Sequence, residues 1–336
     1  MKILVTGASG LVGGSIIEEL LKNGFEVCAL GGINSQTDKF KGVEIFFKTD
    51  ITEYQTLAGA AKLEDVDVII HAAGLAHQFG NREEKDFLKV NVLGTENVGR
   101  LAVELKVKHF ILLSSVAVYG VNSVNLESNR SETRQVGITE DAACQPQGFY
   151  AQSKLESERD AQNVCVDNKI ALTILRLATV IGEEDRGNVA RLIRALDKRR
   201  FFWIGTGENS KSLVYKGDVA KACLKILGKN GGAEIFNVTA QPSTMKEIVS
   251  EIENGLGLKA SKFSIPLEIL RKFFLLNTRF LRLKKLNRVE ETLNKWLSDD
   301  IFSGEKFKNV YGFQTETSVG EAIRRQVGRY KRDRKK

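Results

Sequence analysis

Three polar residues have the types and spacing needed for proton transfer. Tyr150 and Lys154 stand four residues apart in a predicted helix, so their side chains share one face. A free tyrosine titrates near ~10, but a neighbouring ammonium favours the phenolate and lowers its pKa. Ser115 follows an apolar strand and could hydrogen-bond an oxygen that changes between hydroxyl and carbonyl, although a turn-forming hydroxyl is the alternative. Together, Ser115, Tyr150 and Lys154 are the predicted catalytic residues.

A glycine-rich stretch, TGASGLVG, joins the first predicted strand to the first predicted helix. Glycines there allow a tight turn and let the backbone approach a pyrophosphate at the helix N-terminus. A purely structural turn is the alternative, but the strand before it and the helix after it favour dinucleotide binding. The predicted cofactor-binding residues of this stretch are Gly7, Ser9, Gly10, Leu11, Val12 and Gly13.

The choice between NAD and NADP should be made just after the second strand, which ends near Leu30. The next residues, Gly31 and Gly32, offer neither a carboxylate nor an arginine, so these residues leave the choice between NAD and NADP open and do not exclude NADP. Lys39 and Lys41 could reach a 2′-phosphate, but a solvated surface is the favoured interpretation.

Apolar β-branched runs alternate with amphipathic helical patterns through the first half of the chain. The predicted strands are Lys2–Thr6, Phe25–Leu30, Val43–Phe47, Val66–His71, His109–Ser114 and Ala171–Leu177. The predicted helices are Leu11–Asn23, Glu83–Lys106, Tyr150–Val166, Val189–Lys198, Gly217–Leu227 and Met245–Asn254. This alternation indicates an α/β fold with a Rossmann-type, doubly wound parallel sheet. We predict a dinucleotide-binding domain over 1–182 with a returning strand at 234–238, a smaller, mostly helical substrate lobe over 183–330, and a basic tail over 331–336.

The 336 residues carry a net charge of +8, which two C-terminal segments supply. Residues 269–289 hold seven basic and no acidic residues, and residues 324–336 hold eight basic and one acidic, so the rest of the chain is net negative. No nucleic-acid-reading motif accompanies this charge, so we predict no nucleic-acid partner. Scattered cysteines, and histidines without metal-ligand spacing, predict reduced thiols and no metal site. Without a secretory signal or an apolar span, we expect a cytoplasmic protein.

Apolar residues recur at helical spacing inside the first of these basic segments, at Ile269, Phe273, Leu276, Phe280 and Leu283. The favoured interpretation is a lobe helix with a solvated basic face. The alternative is peripheral docking at an anionic membrane.

Motifs along nearly the whole chain resemble the extended short-chain dehydrogenase/reductase family, in its NAD-dependent epimerase/dehydratase branch. The matching stretches are TGASGLVG, DIT, HAAG, NVLGTEN, SSVAVYG, FYAQSK, LRLATVIG and the closing YGFQTETSVGEAIRRQVGRY. The resemblance implies NAD as the cofactor and a homodimer paired through the two long helices. It adds the cofactor-binding residues Asp50, Ile51, Ala72, Ala73, Gly74 and Asn91, and it includes Tyr150 and Lys154 in that set. Asp50 would bind adenine, although from the residues alone a turn is nearly as common.

The same resemblance implies a UDP-sugar or a related nucleotide-sugar as substrate. Gly187-Asn188-Val189 is similar to a loop whose backbone meets uracil, and Lys211 stands where an arginine binds the diphosphate. A lysine is a point charge and not a bidentate clamp, which leaves the nucleotide open. The implied substrate-binding residues are Ser115, Asn188, Val189, Lys211 and, near the nucleotide ribose, Asp218.

These features predict 4-epimerisation of a UDP-hexose or UDP-N-acetylhexosamine, in which Tyr150 takes the 4-hydroxyl proton while nicotinamide takes the C4 hydride. A reductase acting once on a 4-keto nucleotide-sugar needs the same three residues, so the sequence does not separate the two. In the family that the chain resembles, 4,6-dehydratases carry an Asp-Glu pair directly after the catalytic hydroxyl. Val116 and Ala117 stand at these positions here, and this difference disfavours dehydration. Reduction of a steroid-like carbonyl and a non-catalytic dinucleotide-sensing scaffold are more distant alternatives.

Overall fold

A parallel sheet of seven strands lies at the centre of the computed structural model, which describes residues 1–35, 40–76, 83–120, 137–229, 233–266, 268 and 296–334. Its strands are β1 (Lys2–Thr6), β2 (Glu26–Gly31), β3 (Ile45–Lys48), β4 (Val66–His71), β5 (His109–Ser115), β6 (Ala171–Leu177) and β11 (Glu234–Val238). Their order is β11-β6-β5-β4-β1-β2-β3, which confirms the predicted doubly wound α/β fold. Winding reverses between β1 and β4, and the carboxyl ends of those strands border a crevice suited to a ligand.

The helices of the described ranges are α1 (Leu11–Lys22), α2 (Glu84–Phe87), α3 (Gly94–Glu104), α4 (Phe149–Asp167), α5 (Asn188–Asp197), α6 (Lys216–Ile226), α7 (Met245–Leu256), α8 (Glu305–Tyr311) and α9 (Val319–Arg334). A π-helical turn, Leu88–Leu93, joins α2 to α3, so the single helix predicted over Glu83–Lys106 is interrupted. The interruption contains Asn91, whose side chain bonds to two neighbouring elements. Within the described part of the chain, no helix is both long enough and apolar enough to cross a membrane.

The sheet is covered on both faces, which explains why its strands read as continuous apolar runs. Alternate residues of β1 point to opposite faces: Ile3 and Val5 lie in the cluster with α1, and Leu4 lies in the cluster with α3 and α4. The third strand begins at Ile45 and not at the predicted Val43, because the chain is still turning there and the Val43 N–H donates to the Phe40 carbonyl.

The lobe contains short strand pairs as well as helices. β7 (Thr179–Ile181) pairs with β10 (Leu213–Tyr215), β8 (Trp203–Ile204) with β13 (Ser264–Ile265), and β9 (Ser210–Lys211) with β12 (Ser243–Thr244). The helices α5, α7 and α9 share one buried apolar cluster that includes Ile193, Ile252 and Ile323. The residues 331–334, predicted as part of a basic tail, form the last turn of α9, where basic side chains complement the helix dipole.

Two later stretches pack in the core of the first domain, although the predicted boundary at residue 182 assigns them to the lobe. Helix α6 buries Val219 and Cys223 in the same cluster as α1. Phe307 and Tyr311 of α8 pack against Phe236 of β11, each with ring centroids 5.3 Å from it. The division into domains itself stays a prediction.

Helices α3 and α4 belong to the two long helices through which the homodimer is predicted to pair. The two helices pack closely on each other, because a Cβ built at Gly99 would lie 3.3 Å from Val164. Outside this contact lie Glu96, Glu156 and Asp160, and burial together with the two glutamates raises the pKa of Asp160. Three carboxylates therefore lie close together here, and the homodimer stays a prediction. The basic segment 269–289 and Lys39 lie outside the described residues.

Gly31 ends β2 at a point where no side chain fits. A Cβ built there would lie 2.4 Å from Cζ of Phe46 and 2.8 Å from Oγ of Ser35. The missing carboxylate at this position therefore reflects space that Phe46 and Ser35 already fill.

We expect Gly31→Ala to lower the free energy of unfolding by about 1–3 kcal/mol, the usual cost of overpacking. Gly32→Ala is the matched control, because its Cβ would have Ser35 Oγ as nearest atom, at 3.9 Å. Its effect should stay within about 0.5 kcal/mol. Urea unfolding of both variants checks this, and equal stabilities would contradict it.

Candidate active site

The loop between β1 and α1 has the shape of a phosphate-binding turn. Gly7 has a φ of +68°, and a Cβ there would lie 2.6 Å from backbone atoms of Ala72 and Ala73. A Cβ at Gly13 would lie 2.2 Å from the Gly7 carbonyl oxygen. Among the described side chains none caps α1, which begins after Gly10, so its first N–H groups can serve a phosphate.

Hydrogen bonds also fix the residues next to this loop, where the adenosine part of the cofactor is predicted to bind. The Ser35 hydroxyl, which the sequence analysis missed, donates to Ser9 Oγ at 2.8 Å. Asp50 Oδ1 accepts from the backbone N–H and the hydroxyl of Thr52, at 3.0 and 2.8 Å, so this carboxylate forms a turn. Ile51 packs on Gly94, where a Cβ would lie 2.7 Å from Ile51 Cδ1. The adenine contact of Asp50 stays a prediction.

A directed chain of hydrogen bonds fixes His71 at the end of β4. The Thr95 hydroxyl donates to the Asn91 carbonyl at 2.6 Å, so at 3.0 Å it must accept from His71 Nε2. His71 Nδ1 then accepts from the Thr6 hydroxyl at 2.7 Å, and Thr6 Oγ1 accepts the Ala73 N–H at 3.1 Å. The imidazole is therefore neutral with its proton on Nε2, in agreement with burial and the Lys154 charge lowering the pKa of His71 to about 3.

Asn91 ties the segment after β4 to α4. Its Oδ1 accepts the Leu75 N–H at 2.6 Å, and its Nδ2 donates to the Leu75 carbonyl at 3.2 Å and to Ser153 Oγ at 2.9 Å. Beside it, a Cβ at Gly74 would lie 3.2 Å from Asn91 Oδ1 and 3.4 Å from Lys154 Nζ. The glycine keeps a gap next to the ammonium. This gap, together with the uncapped start of α1, fits a dinucleotide.

The structure brings the three predicted catalytic residues together. The Ser115 hydroxyl lies near enough to Tyr150 to lower the pKa of its phenol, and it accepts the Ala117 N–H at 3.2 Å. Lys154 Nζ donates to the Leu113 carbonyl at 2.8 Å. Burial lowers the pKa of Lys154 to about 8, and the carboxylate of Glu158 opposes this shift.

The pKa of Tyr150 depends on two opposing influences. Burial raises it, and among the described groups it is the Ser115 hydroxyl, not Lys154, that opposes the rise. The reason is geometric, because the Lys154 ammonium is directed at the Leu113 carbonyl. The joint lowering of the Tyr150 pKa by Lys154 and a bound nicotinamide ring stays a prediction.

A buried ion pair lies directly behind this cluster, and the sequence analysis missed it. Glu158, one turn after Lys154, accepts from Arg176 of β6, with Nη2 to Oε2 at 2.7 Å and Nε to Oε1 at 3.1 Å. The Ser114 hydroxyl donates to the same carboxylate. The Arg176 guanidinium lies 4.9 Å from the centre of the Tyr119 ring. A charged residue inside the apolar run TILRL was the available signal.

The substrate-binding residues implied by the resemblance lie on lobe elements and on α6. Asn188 is exposed at the start of α5, whereas Val189 is buried and offers only its backbone. Lys211 Nζ pairs with Asp300 Oδ2 at 2.5 Å, so this ammonium already has a carboxylate partner.

Asp218 lies on the buried side of α6. Its carboxylate is fully buried and accepts the backbone N–H groups of Glu316, at 3.2 Å, and Thr317, at 3.0 Å. It attaches α6 to the segment that precedes α9. The carboxylate is thus enclosed by the protein, and its contact with a nucleotide ribose stays a prediction.

A doubly wound sheet with a glycine loop and a Ser–Tyr–Lys cluster at its carboxyl edge defines a dinucleotide-dependent enzyme of the short-chain dehydrogenase kind. The sequence model of the NAD dependent epimerase/dehydratase family matches residues 3–239. The chain belongs to this family.

Individual relatives agree with this assignment. The chain is 29% identical over 269 residues to the N-acetyl-alpha-D-glucosaminyl-diphospho-ditrans,octacis-undecaprenol 4-epimerase of Escherichia coli O157:H7, covering 79% of this chain and 75% of the relative. It is 29% identical over 278 residues to an uncharacterised UDP-glucose epimerase of Bacillus subtilis, covering 78% and 84%. The UDP-glucose 4-epimerase of Thermotoga maritima, solved with UDP-glucose, has the same fold, with a TM-score of 0.77, 21% identity and 99% of both chains covered.

Glu158→Gln would leave the buried Arg176 guanidinium without its counter-charge. We expect the free energy of unfolding to fall by about 3–5 kcal/mol, as when one partner of a buried pair is removed. The control is Glu321→Gln, which breaks an exposed 2.5 Å pair with Arg325 and should cost less than about 1 kcal/mol. Urea unfolding of both variants measures the difference. An E158Q protein as stable as the control would show that the pair does not hold α4 against β6.

Proposed function

We propose that this chain inverts the configuration at C4 of the hexose in a nucleotide-sugar, a UDP-hexose or UDP-N-acetylhexosamine, with NAD as its cofactor. The observation that carries the proposal is the gathering of Ser115, Tyr150 and the buried Lys154 at the edge of the sheet where the glycine loop fits a dinucleotide. Family membership supports it, as do the names of two relatives, which are an epimerase of a lipid-linked sugar and a UDP-glucose epimerase.

Each residue of the cluster has a defined task. Tyr150 takes the proton of the 4-hydroxyl and later returns it, and Ser115 donates to the sugar oxygen when that oxygen is a carbonyl. Lys154, held by the Leu113 carbonyl, directs its remaining N–H groups to the gap at Gly74, where they would hold a ribose of the cofactor. When bound, the nicotinamide supplies the hydride acceptor and a positive charge that favours the phenolate form of Tyr150.

Dehydration is disfavoured by the residues that follow Ser115. The Val116 side chain is buried in an apolar cluster with Tyr119 and Phe302. The backbone N–H of Ala117 donates to Ser115 Oγ, and its side chain is a methyl group. Neither side chain can move a proton during loss of water, so epimerisation or a single reduction remains. A 4-keto sugar reductase would use the same three residues, and retention of the cofactor between turnovers separates the two reactions.

A hexosamine carried on a polyprenyl diphosphate is the second candidate substrate. The 29% identity to the 4-epimerase of an undecaprenol-linked N-acetylglucosamine favours it. The reacting C4 end of the sugar is the same in both candidates, so the roles of Tyr150 and Ser115 do not change. The carrier beyond the diphosphate differs, and assays on both substrates in parallel decide between them.

Tyr150→Phe removes the proton acceptor and leaves the ring in place. We expect kcat to fall by about 10²–10⁴-fold, the usual contribution of general acid–base catalysis. Chromatography of the sugar nucleotides after incubation with UDP-glucose and UDP-N-acetylglucosamine measures it. Tyr330→Phe is the control, because its hydroxyl bonds Asp197 at 2.8 Å on the lobe, and we expect no change in kcat. Full activity of the Y150F protein would contradict the proposal.

A further inference from the structure

Two phenylalanine rings project into solvent side by side on the lobe. Phe202, between α5 and β8, is 43% exposed, and Phe263, just before β13, is 69% exposed. Their ring centroids are 6.5 Å apart and their planes meet at 81°. The backbone holds both rings in place, because the Trp203 N–H donates to the Phe263 carbonyl at 2.9 Å and Trp203 Nε1 donates to the Ser261 carbonyl at 3.0 Å. The exposure is therefore built into the β8–β13 pair.

Basic residues stand within four positions of each ring along the chain. Together with Phe202 and Phe263 they form what we call the lobe patch, whose basic members are Lys198, Arg199, Arg200, Lys259 and Lys262. All five are exposed, and within the described ranges their side chains make no hydrogen bond or ion pair. The nearby acidic groups are engaged elsewhere, since Asp197 pairs with Arg334 and Glu253 accepts the Ser261 N–H. Among the described residues, no ion pair therefore neutralises these five basic side chains.

We propose that the lobe patch docks on the surface of an anionic phospholipid membrane. Exposed phenylalanine rings gain free energy when they are buried at the boundary between headgroups and acyl chains. The basic side chains of the patch are attracted to anionic headgroups. Charge along the chain agrees with this partner, because the sequence that follows β13, residues 269–289, adds seven basic and no acidic residues. The proposal does not depend on which sugar the enzyme uses.

A single-stranded nucleic acid is the other polyanion that binds aromatic and basic residues together. Stacked bases need open ring faces, whereas the edge-to-face geometry of Phe202 and Phe263 turns one ring against the other. The observations therefore favour lipid, and the nucleic acid becomes an outcome of the test.

The test is co-sedimentation of the full chain with vesicles of phosphatidylcholine alone and of phosphatidylcholine mixed with phosphatidylglycerol. We expect binding to the anionic vesicles, which weakens with added salt. Phe202→Ser with Phe263→Ser, and separately Arg199→Gln with Arg200→Gln, should each lower the partition coefficient by about tenfold or more.

Two control pairs match these changes elsewhere on the surface. Val166→Ser with Val310→Ser removes apolar side chains that are 67% and 48% exposed, and Lys62→Gln with Lys169→Gln removes exposed charges. Both should bind as the unaltered protein does, and thermal unfolding confirms that all variants are folded. Absence of binding to anionic vesicles, equal losses in patch and control variants, or tighter binding to a single-stranded oligonucleotide than to vesicles would each overturn the proposal.

Discussion

A buried ammonium group on α4 is the constraint on which the rest of the site depends. Lys154 is only 8% exposed, and burial lowers its pKa to about 8. A buried charge requires polar partners, and the Leu113 carbonyl and the carboxylate of Glu158 supply them. Glu158 is itself buried and needs Arg176, and the Arg176 guanidinium rests on the Tyr119 ring. Burial of Lys154 thus requires a single polar network, which includes residues of α4, β5, β6 and the turn after β5.

The cofactor side of the crevice is held by a second network of a different kind. It is uncharged and directional, because each hydroxyl of the Thr6–His71–Thr95 chain has one hydrogen to give. These hydrogen bonds hold Ala73 next to the glycine loop, and Asn91 joins Leu75 to Ser153 on α4. The two networks meet at Gly74, where the absence of a side chain leaves the Lys154 ammonium accessible. The gap at Gly74 is therefore bounded by Asn91 on one side and by Lys154 on the other.

Much of the fold and half of the site could be predicted because their signals are local. The glycine loop, the alternation of strands and helices, and the i, i+4 spacing of Tyr150 and Lys154 can all be recognised within short windows of sequence. What the sequence did not show depends on residues far apart. Lys211 pairs with Asp300, and Asp218 accepts the backbone N–H groups of Glu316 and Thr317, roughly ninety or more positions away. No spacing rule shows such partners.

Glu158 and Arg176 are an intermediate case. Each carries a local signal, one as a charge on the buried face of α4 and the other as a charge inside an apolar strand, but only the fold shows that they meet. Gly31 is similar, since the sequence shows that a carboxylate is missing, whereas the reason, Phe46 and Ser35 in its place, requires the neighbouring strand.

The fate of the C4 hydrogen tests the central claim most directly. The purified protein, with no nucleotide added, is incubated with UDP-glucose and with UDP-N-acetylglucosamine that carry deuterium at C4, and the products are examined by mass spectrometry and NMR. The account predicts the 4-epimer with deuterium still at C4, because the hydride leaves and returns within one closed site. No 4-epimer from either sugar nucleotide, together with oxidation of NADPH when a 4-keto nucleotide-sugar is supplied instead, would contradict epimerisation and identify a reductase.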